Sequence, residues 1–87
     1  MPLYLVERSF ADEIEMNADD VSRLRAVYDG AGVNWVSSFL SADKRKTYCL
    51  YEADNEEAIL EAARRHDSPP DTIIPVDRVD MSGQAEA

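Results

Sequence analysis

The side chains here that could do chemistry are few. Cys49 and His66 are the only cysteine and the only histidine, Trp35 is the only tryptophan, and Glu7, Arg8, Ser37 and Tyr51 sit on stretches that read as strands. A thiol beside an imidazole can be a nucleophile, but only where a base or a cation lowers the thiol pKa. Nothing in the spacing brings His66 to Cys49, which lies between Tyr48 and Leu50 and reads as a small buried hydrophobe. His66 follows Arg64 and Arg65 at the end of a helix, where cations are favoured. As metal ligands, one thiol and one imidazole are too few for a tight transition-metal site unless two copies of the chain pool them. Glu7 and Arg8 close the first strand and Glu52 nearly closes the third. With those strands read as parallel neighbours, Arg8 and Glu52 are expected to form a structural ion pair. Glu7 and Glu52 would suit acid–base work only from a shared face. Lys44-Arg45-Lys46 reads as a solvated turn. The acidic stretch Asp12–Glu15 lacks the glycine and ligand spacing of a calcium loop. No phosphate loop, dinucleotide fingerprint, paired-cysteine site or serine elbow is present.

These residues must be held by a small fold. The chain has 87 residues, enough for one domain, expected over residues 1–80 with a flexible tail over 81–87. The run LYLV opens a strand over Pro2–Phe10. Asp19 or Asp20 is expected to cap a helix, in which Val21, Leu24, Val27, Tyr28 and Ala31 form one apolar stripe. Gly30 and Gly32 end it. Val33–Leu40 and Thr47–Ala53 read as a hairpin across a polar turn. Asp54 or Asn55 starts a second helix with Ile59, Ala62, Ala63 and His66 on one face. Ser68-Pro69-Pro70 stops it. Thr72–Val79 is a fourth strand, and Pro75 places it at an edge. The order β-α-β-β-α-β predicts an α+β ferredoxin-like sandwich: a four-stranded antiparallel sheet with two helices on one face and strands one and three in the centre.

Alternation along the strands leaves both sheet faces apolar. Leu3 and Leu5 oppose Tyr4 and Val6. Val33, Trp35 and Phe39 oppose Val36 and Leu40. Cys49 and Tyr51 oppose Tyr48 and Leu50. Two helices cover one face, and the other would be an apolar patch uncommon on monomers. A second copy packed sheet to sheet would cover it, giving a homodimer with a barrel-like interior that could hold a ligand.

The formal net charge of −9 argues against nucleic acid and anionic membrane as partners. No apolar run reaches the length of a membrane span. The N-terminus MPLYLVERSF lacks the pattern of a secretory signal, so a cytoplasmic protein is expected, as a lone reduced thiol also suggests.

The stretches V-N-W-V-S-S-F, K-T-Y-C-L-Y-E-A, N-E-E-A-I-L-E-A-A-R-R and P-P-D-T-I, with the opening Y-L-V-E-R, resemble a family of small bacterial proteins described as nickel-binding or nickel-responsive. The resemblance runs from Leu3 to about Val79, and C-L-Y-E-A is its most specific part. It implies a ferredoxin-like fold, dimerisation through the sheets and nickel as a cofactor. The family pattern carries histidines at positions where this chain has Ser37 and Ala62, which leaves Cys49 and His66 as the metal candidates.

The reading is therefore a small homodimeric accessory protein, with the residues leaning away from an enzyme without settling it, binding a metal ion or small ligand in the dimer interior. Glu7, Arg8, Trp35, Ser37 and Tyr51 are its candidate lining residues. The alternatives are a cofactor-free enzyme of the dimeric α+β barrel type (an isomerase, cyclase or monooxygenase) and an interaction module with no ligand.

Overall fold

A computed structural model describes residues 1–81 together with 85 and 86. The elements are β1 (Leu3–Ser9), α1 (Ala18–Gly30), β2 (Asn34–Leu40), β3 (Lys46–Glu52), α2 (Glu56–Arg65), β4 (Thr72–Val76), β5 (Arg78–Val79) and β6 (Ala85–Glu86). β1 to β4 form a four-stranded sheet in the order β2-β3-β1-β4. The ferredoxin-like arrangement is as expected, with β1 and β3 central and the Pro75-bearing β4 at an edge. The fourth strand is shorter than expected. After Val76 the chain leaves the sheet, and Arg78–Val79 pairs instead with Ala85–Glu86, inside the stretch expected to be a tail.

Local chemistry accounts for the helix ends. Asn17, rather than the expected Asp19 or Asp20, caps α1, its side chain accepting from the Asp20 N–H at 2.9 Å. Asn55 caps α2 by accepting from the Ala58 N–H at 3.1 Å. A side-chain oxygen at this position satisfies an N–H that the first helical turn leaves unpaired. Gly32 follows α1 at a φ of 78°, a left-handed conformation that glycine takes without a Cβ clash.

Two expectations about the sheet are corrected. β1 and β3 run antiparallel, not parallel, with Leu3 opposite Glu52 and Arg8 opposite Thr47. The crossover through α1 makes β2 parallel to β1, and the hairpin then returns β3 in the opposite sense. Arg8 and Glu52 thus lie at opposite ends of the strand pair, and the expected ion pair does not form. The second correction is a bulge in β2 between Trp35 and Ser37. An extra residue shifts the alternation by one. Beyond it Ser38 pairs with Cys49 and Leu40 with Thr47, while Ser37 pairs with Leu50 and Phe39 with Tyr48. Phe39 therefore leaves the Trp35 face, and Leu40 joins it.

The core lies between the sheet and the helices. Tyr4, Val6, Trp35, Cys49 and Tyr51 from the strands meet Tyr28 of α1 and Ile59 and Ala62 of α2. The other face carries Leu3, Leu5, Phe39, Tyr48, Leu50, Ile74 and Val76 by register. On it Phe39 is 61% exposed and Ile74 49%.

Candidate functional site

The helix-covered face holds a cavity of about 240 Å³ at one end of the sheet. Arg8 of β1 enters it from the sheet, beside Thr47, Cys49 and Tyr51 of β3 and Trp35 of β2. Leu24 and Tyr28 of α1 line it from the helix side, and so do His66 and Ser68, just after α2. The segment from Phe10 to Met16 borders the mouth, together with Asp20 and Arg23, which are paired with each other.

Arg8 organises the polar part. Its position follows from strand alternation: Tyr4, Val6 and Arg8 share the buried face of β1, and Arg8 is only 5% exposed. Its Nε donates to the Ser68 carbonyl at 3.0 Å, Nη2 to the Tyr28 hydroxyl at 2.8 Å, and Nη1 to the Tyr51 hydroxyl at 3.5 Å. Burial works against the Arg8 cation, but Tyr28 and Tyr51 outweigh it and hold its pKa above the ordinary arginine value. Burial pushes the Tyr51 phenol well above the usual tyrosine range, so it is a neutral hydroxyl.

The Tyr28 hydroxyl also lies 2.9 Å from His66 Nε2. Because Arg8 donates to the phenol oxygen, the phenol proton is free to point at Nε2, and His66 then accepts. His66 is held neutral more strongly than an ordinary histidine. Burial lowers its pKa first, and the Arg8 charge lowers it further. His66 is the C-cap residue of α2, followed by Asp67 at a φ of 53°, and this turn aims its ring back at Tyr28.

The cavity wall is aromatic. Tyr28 and Tyr51 stack at 4.6 Å between centroids with 17° between planes. Trp35 lies 5.9 Å from Tyr28 and 6.0 Å from Tyr51, in both cases tilted. The β2 bulge adds a further link: Trp35 Nε1 donates to Ser38 Oγ at 2.6 Å, and Ser38 Oγ donates to Cys49 Sγ at 2.9 Å.

Of the residues singled out from sequence, Arg8, Trp35, Cys49, Tyr51 and His66 all line this one cavity. Glu7 and Ser37 do not. They belong to the opposite face, where their register partners are Tyr48 and Leu50. Glu7 and Glu52 share that face, but Glu52 pairs with Leu3, four residues from Glu7 along β1. That is about 13 Å of strand, too far for two carboxylates to act on one proton. Cys49 and His66 border the same space, yet no hydrogen bond joins them: the thiol is bonded to Ser38 and the imidazole to Tyr28. Tyr28, Ser38 and Ser68 were missed. For Tyr28 a signal existed, since a tyrosine on a buried helical stripe needs a partner for its hydroxyl.

A four-stranded antiparallel sheet backed on one face by two helices defines a small α+β domain of the ferredoxin-like type. The family model described as "Nickel responsive protein SCO4226-like" matches residues 4–76, and the chain belongs to that family. Among solved structures, the fold is similar to that of SCO4226 from Streptomyces coelicolor A3(2). That match has a TM-score of 0.67 and 17% identity, and spans 85% of this chain and 94% of the other. No curated protein matches the chain.

The family description raises nickel, and the residues of one chain do not fit it. Among the described residues no group of three or more His, Cys, Asp or Glu side chains is placed to hold a metal ion. The two softer donors in the cavity, Cys49 and His66, are already hydrogen-bonded, and the Arg8 cation shares their space. A buried positive charge opposes a dication in the same low-dielectric cavity. Ala62, where the family pattern led us to look for a histidine, is fully buried in the core. No helix among the described residues is long and apolar enough to cross a membrane.

Proposed function

We propose that this chain is a homodimeric accessory protein that binds a small organic ligand in the cavity around Arg8. The observation that carries the reading is a buried guanidinium set in an aromatic-walled cavity with neutral partners only. Ligand sites are concave and mostly apolar, with a few convergent polar groups that fix orientation, and this cavity has that composition. The site lies within each protomer, between sheet and helices. The sheet-to-sheet interior that a dimer would enclose is a separate space.

The dimer rests on the other face. Leu3, Leu5, Leu50, Ile74 and Val76, with Phe39 and Tyr48 beside them, put an apolar patch on this face among Glu7, Ser37 and Glu52, and an exposed apolar patch marks an interaction site. A second copy of the same chain related by a two-fold axis would cover it with the same patch.

The experiment is a small-molecule fragment screen read by ¹H–¹⁵N NMR at the indole N–H of Trp35. Saturable shifts at Trp35 support the reading. A crystal structure with the cavity filled by side chains from the Phe10–Met16 segment would overturn it.

A second reading follows from the family description alone: nickel shared between two copies of the chain, with Cys49 and His66 as the candidate donors of each. Metal titration of the wild type against Cys49→Ser and His66→Ala distinguishes it.

A further inference from the structure

We propose that the ligand of this cavity is a compact monocarboxylate with an apolar, ring-sized body, its carboxylate taken by Arg8. The inference rests on the ligand-site reading above and adds charge, size and binding group to it.

The charge comes from what surrounds Arg8. Buried charges in proteins are ordinarily paired with an opposite charge. Ion pairs join Arg23 to Asp20 and Arg64 and Arg65 to Glu61, among others. None of these includes Arg8, whose partners are a carbonyl and two phenols. A guanidinium has five N–H donors in a planar fork that matches a carboxylate. Here it makes only three bonds, one of them long at 3.5 Å. Donors and charge are both left over, and a carboxylate would use both.

One negative charge is the right number. Asp20, at the mouth, is already paired with Arg23, and the other carboxylate there, Glu15, is exposed. His66 adds no second cation, because burial and Arg8 keep it neutral. A dianion would bring one uncompensated charge into the cavity, past Glu15. A metal cation would meet Arg8 itself.

Size and walls set the body of the ligand. A cavity of about 150 Å³ suffices for benzene, and drug-sized ligands occupy about 300 Å³ or more. At about 240 Å³, this one suits a single ring with a short polar substituent. Tyr28, Trp35 and Tyr51, packed on one another, contribute to its lining, and Leu24, Ile14 and Phe10 add further apolar wall.

The test compares benzoate with its neutral counterpart benzamide on the wild-type protein. Both are titrated by NMR, reading the Trp35 indole N–H, and by calorimetry. Benzoate is expected to bind saturably, at least about tenfold tighter than benzamide, the difference a charge-assisted pair makes. Arg8→Met, which keeps an unbranched apolar stem in place, is expected to abolish that preference. If the variant does not fold, the wild-type comparison decides alone. Equal affinity for the two probes would overturn the monocarboxylate inference and leave the ligand-site reading standing. No shift at Trp35 with either probe would overturn both.

Discussion

The Nη2 of Arg8 donates to the hydroxyl of Tyr28 across 2.8 Å, from β1, a central strand of the sheet, to the facing helix. This bond ties β1 to α1 through the cavity, and the same hydroxyl reaches on to His66 after α2. One phenol oxygen thus joins a central strand to both helical segments.

Tyr28→Phe should therefore cost more than a lost hydroxyl. The ring and its stacking on Tyr51 remain, but Arg8 loses its shortest bond and the His66 ring loses its partner. Leaving buried polar groups short of partners costs about 1–3 kcal/mol. Denaturant unfolding should show a loss in that range, with an unchanged m-value. A change within error of zero would mean that water replaces the hydroxyl and that the bridge is not structural.

His66 predicts a pH dependence. Its pKa in the folded chain lies below the ordinary 6.5 because of burial, with Arg8 adding to the effect. The unfolded chain therefore takes up the proton first as pH falls. Stability from this group is fully present above the unfolded value and is lost as pH drops below about 6.5 toward the folded pKa. Melting curves between pH 8 and pH 5 should show a decline that is shallower in His66→Gln, which retains a hydrogen-bonding group facing Tyr28 but does not titrate. Parallel pH profiles for the two proteins would show that His66 titrates alike in both states. The Arg8 cation and the Tyr28 hydroxyl are the groups that act on the ring.

The element order was legible in the sequence because each boundary carries its own chemistry: Asn55 before α2, Gly32 after α1, Pro69-Pro70 before β4. The bulge after Trp35 was not, because no glycine or change of composition marks it, and one inserted residue moves Ser37 and Phe39 to the opposite face. The strand direction was implied by the β-α-β-β order and misjudged for β1 and β3, which produced the Arg8–Glu52 pair that the register forbids. The site was half legible. Cys49 and Tyr51 alternate onto one face of β3 and Arg8 onto the Tyr4 and Val6 face of β1, but it is the β1–β3 register that puts the two sets together. Joining them to His66 and Tyr28 requires the helix packing and the turn at Asp67, and neither has a local signature. Tyr28 was hidden because its spacing in α1 already explained it as core.

The open sheet face predicts a dimer that a single charge can break. Leu50 lies on a central strand in the middle of that face, opposite Leu5 on β1 and Ser37 on β2. Leu50→Glu should convert a dimer to a monomer in sedimentation while the cavity on the other face, and ligand binding in it, persist. Because each chain carries a net charge of −9, wild-type association should tighten with added salt as repulsion is screened. A wild-type monomer at high protein concentration and physiological salt would refute the dimer.

Nickel titration separates the two readings of the site. Cys49 Sγ accepts from Ser38, and His66 Nε2 is engaged by Tyr28, so a metal must displace both bonds. It must also approach the Arg8 guanidinium, whose positive charge disfavours a dication at close range. Pooling two chains does not remove that obstacle, because the cavity lies on the helix-covered side of each sheet and the apolar face that would pair is on the other. Calorimetry with nickel is accordingly expected to show no saturable binding in the micromolar range that depends on these donors. Cys49→Ser and His66→Ala should leave any residual heat unchanged. Micromolar binding that disappears in either variant would establish the metal site. It would also require the cavity to rearrange around Arg8, which a shift of the Trp35 indole resonance on adding nickel would report.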